Sequence, residues 1–82
     1  MDKKGILSVY HEYSSIKPLS TAIYRTIYVC ITNGYLRSGD RITIDGLAAL
    51  CSASRTPVRE AIRQLESDGI LTYDQRIGYY VR

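Results

Sequence analysis

The sequence predicts a mainly α-helical domain closed by a small β-hairpin. Three observations carry that prediction. Apolar residues recur at helical spacing in three separate segments, only three or four residues separate the last two, and the C-terminal stretch alternates around a Gly-containing turn. With 82 residues, the chain has room for one such domain. Hydrophobic residues make up 45% and charged residues 23%, a globular balance that argues against a disordered tail.

Residues 1–17 are heterogeneous, with Lys3-Lys4, the run Ile6-Leu7-Ser8-Val9-Tyr10 and then Ser14-Ser15. A flexible arm or an appended element is expected there, with a short helix or strand at 6–13. Pro18 suits a first helical turn. From it Leu19, Ile23, Ile27 and Ile31 recur every fourth residue, which predicts an amphipathic helix over 18–33, stopped by Asn33-Gly34. Residues 35–40 read as a turn and Arg41-Ile42 as a very short strand. Thr43 reads as the N-cap of a second helix that carries Ile44, Leu47, Ala48, Leu50 and Cys51. Asp45 in its first turn suits the helix dipole, and Gly46 costs it up to ~1 kcal/mol against Ala. Ser54 or Thr56 caps a third helix, with Pro57 acceptable in the first turn under either choice. Val58, Ala61, Ile62 and Leu65 form its apolar stripe, and Asp68-Gly69 ends it. In the tail, Leu71 and Tyr73 share one face by alternation, as do Tyr79 and Val81, with the turn at 74–78. Helix, short strand, helix, tight turn, helix and hairpin, in that order, make a winged helix-turn-helix over residues 18–82: three helices plus a two- to three-stranded antiparallel wing.

The third helix carries the residues that point to a function. At 100° per residue, Arg55, Arg59 and Arg63 fall within about 80° of one another, roughly opposite the apolar stripe. Their i, i+4, i+8 spacing makes a ladder about 12 Å long, which suits a helix end in a major groove about 12 Å wide. The planar fork of Arg matches the two acceptors of guanine and the oxygens of phosphate. In helix-turn-helix docking the N-terminal part of the second helix reaches base edges. Arg55 and Arg59 are therefore expected on bases, Arg63 on phosphate or a flanking base, and Thr56 on phosphate or a thymine methyl. The competing reading is a solvated face in which Glu60 and Glu66 pair with Arg59 and Arg63. At the hairpin tip, Gln75 and Arg76 are expected on the DNA backbone or in the minor groove. Tyr79 and Tyr80 read as strand formers, and Gly78 as a turn residue. The net charge of +3, from Lys+Arg 11 against Asp+Glu 8, permits a nucleic-acid partner without demanding one.

Other chemistries find little support. The one histidine, His11, lies in the N-terminal stretch, and there is no phosphate-binding glycine pattern and no carboxylate-rich metal cluster. An enzyme is not expected, and neither is a metal or cofactor. Cys30 and Cys51 each sit in an apolar helical pattern and read as small buried hydrophobes, in a chain placed in the cytoplasm. No apolar run approaches a membrane span, and the N-terminal basic residues precede no signal-peptide core.

The stretch Ser54-Arg55-Thr56-Pro57-Val58-Arg59-Glu60-Ala61-Ile62, followed by Leu65 and Asp68-Gly69-Ile70-Leu71, closely resembles the signature of the GntR family of bacterial transcription regulators. Upstream, residues 31–42 are similar to the family's I-x-x-G-x-L-x-x-G-x-x-L stretch. The form Thr-Pro-Val-Arg-Glu-Ala is most similar to the FadR-type branch, and the resemblance covers residues 18–82. It implies an N-terminal winged-helix domain that binds double-stranded, palindromic operator DNA. Family positions that contact DNA fall on Arg55, Thr56 and Arg59, with the wing tip at Gln75 and Arg76. It further implies a homodimer in a full-length context, whereas this chain alone is expected to be a monomer or weak dimer. Two departures stand out. Asp45 occupies a position where some relatives carry an Arg, and would repel the phosphate backbone. The ligand-sensing and dimerising domain usual in the family does not follow the wing, as in a piece of a longer chain or a natural short form. The rival from another class is a winged helix used for protein–protein contact, which would show an apolar surface patch and need no arginine ladder.

Overall fold

Side-chain caps open two of the four helices. In the computed structural model, which describes residues 1–82, four helices and a three-stranded sheet follow in the order α1 (Lys3–Tyr13), α2 (Leu19–Thr32), β1 (Arg41–Ile42), α3 (Ile44–Cys51), α4 (Arg55–Ser67), β2 (Leu71–Asp74) and β3 (Gly78–Val81). The Asp2 carboxylate accepts from the Gly5 N–H at 2.9 Å and opens α1. The Thr43 hydroxyl does the same for the Gly46 N–H at 2.9 Å and opens α3. Such a cap satisfies a donor that has no partner within the helix and contributes about 1 kcal/mol. Gly46 is part of that cap, because a Cβ there would stand 2.7 Å from the Thr43 hydroxyl oxygen. Its poor helix propensity is offset by the close approach it allows. Pro18 sits at the N-cap of α2, one residue before the first turn, and Ser54 at that of α4, neither with a side-chain cap bond.

Residues 1–17, expected as a flexible arm or an appended element, contain the eleven-residue helix α1. It buries Ile6, Val9 and Tyr10 in the same hydrophobic cluster as Ile23, Ile27 and Cys30 of α2. The Asp2 N–H donates to the Tyr35 carbonyl at 2.8 Å, which ties the start of α1 to the loop after α2. The packing therefore runs continuously across residue 17.

α3 and α4 form the helix-turn-helix, joined by Ser52-Ala53-Ser54. The turn is made by Ser52 in the left-handed conformation at φ 51°, its N–H bonded back to the Ala48 and Ala49 carbonyls. Val58, Ala61, Ile62 and Leu65 are all essentially inaccessible to solvent, so α4 is clamped along its whole inner face. At about 1.5–3 kcal/mol for each large side chain, this stripe is a main support of the fold. At the far end of α4, the Tyr24 hydroxyl donates to Asp68 Oδ2 at 2.5 Å and Gln64 Nε2 donates to Asp68 Oδ1 at 3.0 Å. That bond to a carboxylate raises the Tyr24 pKa above its ordinary value of 10.0, with partial burial adding to it.

The sheet has the order β1-β3-β2 and is antiparallel throughout. Leu71 faces Val81 at the root of the hairpin, Tyr73 faces Tyr79 midway, and Asp74 faces Gly78 at the turn. β1 pairs Arg41 with Tyr80 and Ile42 with Tyr79, which makes the short strand the third member of the wing. Cys30 and Cys51 are free and buried, and burial pushes both thiols up to about 11, so they are protonated hydrophobes at neutral pH. No helix is long and apolar enough to cross a membrane.

Candidate nucleic-acid interface

Two elements, β1 and α4, bring three guanidinium groups to one shallow groove. Arg41 of β1, Arg55 and Arg59 of α4, the N-terminal turn of α3 and the start of β3 enclose about 510 Å3. The strand pleat sets Arg41 there, because its neighbour Ile42 is buried and alternation turns Arg41 outward. Gly78 lines the other side, and glycine is favoured there by its backbone conformation. It holds φ +92° at the hairpin turn, and a Cβ on it would come within 3.8 Å of Arg41 Nε. Against these three cations the groove holds one carboxylate, Asp45.

The two arginines of α4 differ. Arg55, the first residue of the helix, donates from Nε to Asp45 Oδ1 at 2.6 Å. Arg59, one turn on, has no ion pair and is half-buried against the groove wall. That partial burial corrects the expectation of a ladder opposite the core: the ladder flanks the apolar stripe. Arg63, a turn further, is exposed and lies outside the groove. The pairings weighed for α4, Glu60 with Arg59 or Arg63 and Glu66 with Arg63, do not form, since the charged pairs within 4.0 Å are Arg55–Asp45, Arg76–Asp74 and the N-terminal amine with Asp40. Two guanidinium groups on this face therefore remain available to an external anion.

Thr56 is exposed in the first turn of α4, beside Arg55. Gln75 and Arg76 are exposed at the wing tip, away from the groove, and the Arg76 side chain is 91% accessible. The tip is shaped by Asp74, whose Oδ1 accepts the Arg76 N–H at 2.7 Å while Arg76 Nε stands 3.9 Å from the same oxygen. Of the six residues singled out from the sequence, the groove brings together Arg55 and Arg59 and leaves Thr56, Arg63, Gln75 and Arg76 outside its lining.

Sequence reasoning missed Arg41 as a site residue. A two-residue strand carries almost no periodicity, and only its pairing with β3 places Arg41 beside α4. Sequence alone makes Asp45 a dipole partner that would repel phosphate; its bond to Arg55 spans ten residues and follows from the helix-turn-helix packing.

Comparisons with known proteins bear on this geometry. A family model described as "Bacterial regulatory proteins, gntR family" matches residues 19–81. An uncharacterised HTH-type transcriptional regulator of Bacillus subtilis, YdhC, is 39% identical over 64 residues, covering 78% of this chain and 29% of its own length. The Nta operon transcriptional regulator of Aminobacter aminovorans is 42% identical over 48 residues, 58% of this chain and 23% of its own. A GntR-family transcriptional regulator from Pseudomonas syringae pv. tomato, known from its crystal structure, superposes with a TM-score of 0.73 at 31% identity, over 96% of this chain and 35% of that one. The chain thus spans less than a third of the two curated relatives.

Proposed function

The chain belongs to the gntR family of bacterial regulatory proteins and is a DNA-binding regulatory domain; from that premise we propose that it reads a duplex operator with α4 in the major groove and the wing on the backbone or in the minor groove. Arg55 and Arg59 donate to base edges, and Arg63 donates to phosphate or a flanking base; Thr56 either donates its hydroxyl to phosphate or packs its methyl against a thymine methyl. Gln75 and Arg76 hold the flanking backbone or minor groove from the wing tip. Arg41 joins them as a phosphate contact at the wing root, between helix and hairpin. The observation that carries the reading is the convergence of Arg41, Arg55 and Arg59 on one open groove beside the N-terminus of α4.

The domain acts by binding alone, with no catalytic step, metal or cofactor, and in the bacterial cytoplasm. In a full-length context two copies form a homodimer on a palindromic operator, one domain per half-site, and the dimer sets the half-site spacing. This chain alone is a monomer or weak dimer and binds one half-site with correspondingly low affinity. Titration by fluorescence anisotropy at several salt concentrations tests the reading. With three to six phosphate contacts per domain, log K falls against log[salt] with a slope of about −3 to −5. An affinity independent of salt would overturn it.

A further inference from the structure

The groove contains one feature that neither stability nor phosphate attraction explains: a carboxylate among three guanidinium groups. Asp45 Oδ1 lies 2.6 Å from Arg55 Nε, with the side chains 72% and 67% exposed. An ion pair this open to water contributes only about 0–1 kcal/mol to folding. A negative charge on a DNA-facing surface also lowers affinity for any phosphate backbone. The pair does have a specific geometry. The bond is made by Nε, so the two Nη groups remain for another partner. Those outer donors form the fork that fits guanine O6 and N7.

We propose that Asp45 is a positioning residue for base reading, holding the Arg55 guanidinium by Nε so that its Nη fork faces one base pair. The inference rests on the reading of Arg55 as a base-contacting residue. The backbone that carries Asp45 is well fixed. Asp45 lies in the first turn of α3, where the Thr43 cap and the close approach at Gly46 set the backbone and where the helix dipole favours a negative charge. A long, free arginine loses rotamer freedom when it binds, and a partner that restricts it beforehand reduces that loss. The same carboxylate disfavours misplaced docking, in which it would face phosphate with no base contact in return. Asp45 thus trades affinity for random DNA against discrimination at one position.

The test uses the 82-residue protein and a preferred site selected from random-sequence DNA. Affinities for every single-base-pair variant of that site and for random DNA are measured for the wild type, Arg55→Ala, Asp45→Ala, Asp45→Asn and the double alanine variant. Arg55→Ala is expected to flatten discrimination at one base pair. Asp45→Ala should weaken discrimination at that same base pair by about 5–10-fold and leave the others unchanged. It should also raise affinity for random DNA by about 2–5-fold, with an unaltered melting temperature. Asp45→Asn, which keeps an acceptor oxygen, should recover part of the discrimination, and the double variant should match Arg55→Ala at that position. Full discrimination in Asp45→Ala, or flattening at a different base pair, would overturn the positioning role while the reading of Arg55 stands. If Arg55→Ala flattens no position, the base contact itself is wrong and the proposal falls with it.

Discussion

α4 and the wing present arginines on supports of opposite stiffness. The inner face of α4 is sealed by Val58, Ala61, Ile62 and Leu65, and its C-terminal end is latched through Asp68 to Tyr24. The hairpin is buried only at its root, by Leu71 and Val81, and further out Tyr73 and Ile77 are about half exposed, at 51% and 46%. Its tip is held by local bonds, from the Arg76 N–H to Asp74 Oδ1 and from the Ile77 N–H to the Asp74 carbonyl at 3.0 Å. Base readout tolerates only small errors in donor position, whereas a phosphate accepts hydrogen bonds from a broad range of directions. A rigid helix for bases and a compliant hairpin for backbone is the division of labour this difference teaches.

The comparison breaks first at the core. Ile62→Ala should destabilise the domain by about 2–5 kcal/mol and abolish binding through unfolding. Ile77→Ala, on the wing, should stay within about ±0.5 kcal/mol, as both thermal melts would show. A large cost at Ile77 would mean that the wing is as stiffly supported as α4. The next effect is on readout. Arg59→Ala should retain the melting temperature and lose about 1–3 kcal/mol of affinity on the preferred site, with a smaller loss on random DNA. If that variant keeps both affinity and site preference, α4 is not the reading element. Arg76→Ala should weaken preferred and random DNA nearly alike and reduce the salt slope by about one, as expected of a phosphate contact. A base-specific loss at Arg76 would reverse the roles of helix and wing.

The smallest effect sharpens the stiffness of α4 itself. Tyr24→Phe removes the hydrogen bond to Asp68 and should cost about 0.5–1.5 kcal/mol in denaturant unfolding. The pKa of Tyr24 is raised in the folded protein. The contribution of this bond is therefore fully present below the ordinary tyrosine value and is lost as pH rises through the raised one. Unfolding curves from neutral pH upward should show the wild type losing stability above pH ~10 more steeply than the Phe variant. Parallel curves would show that the latch carries no load.

How much of this was legible beforehand follows from the range of each interaction. α2, α3 and α4 could be read because their signals are local: a four-residue apolar period, Thr43 as a cap, and a turn at 52–54. The hairpin could be read from alternation, and its register places Tyr73 opposite Tyr79 as that alternation implies. α1 was harder: Ile6, Val9 and Tyr10 have helical spacing but cover little more than one turn, and with Leu7 they make a short apolar run that fits a strand as well. What stayed hidden depends on contacts distant in sequence. Arg41 reaches the groove through its pairing with Tyr80, and Asp45 meets Arg55 only once α3 and α4 have packed. The absence of intrahelical pairing for Arg59 and Arg63 was likewise not decidable from spacing, because i, i+3 and i, i+4 proximity permits an ion pair without requiring it.

The alliance of β1 with β3 has a further consequence for motion. Besides the strand register, the Gly39 N–H donates to the Val81 carbonyl at 2.8 Å and the Val81 N–H to the Asp40 carbonyl at 2.9 Å, so residues 39–42 are stitched to 79–81. Everything between, including α3, α4 and β2, lies inside one closed lasso. Re-forming these pairings after they open must overcome the entropy of closing a long loop, which favours their opening and closing together. The amides of α3, α4 and β3 should therefore exchange with deuterium through one shared opening and behave as a single cooperative foldon. α1 lies outside the lasso, tied to it by side-chain packing and by the pair of the Met1 amine with Asp40 at 3.4 Å, and to the loop before it by the Asp2–Tyr35 bond. Its amides can open by a separate, shallower excursion, leaving the two helices of the reading motif closed.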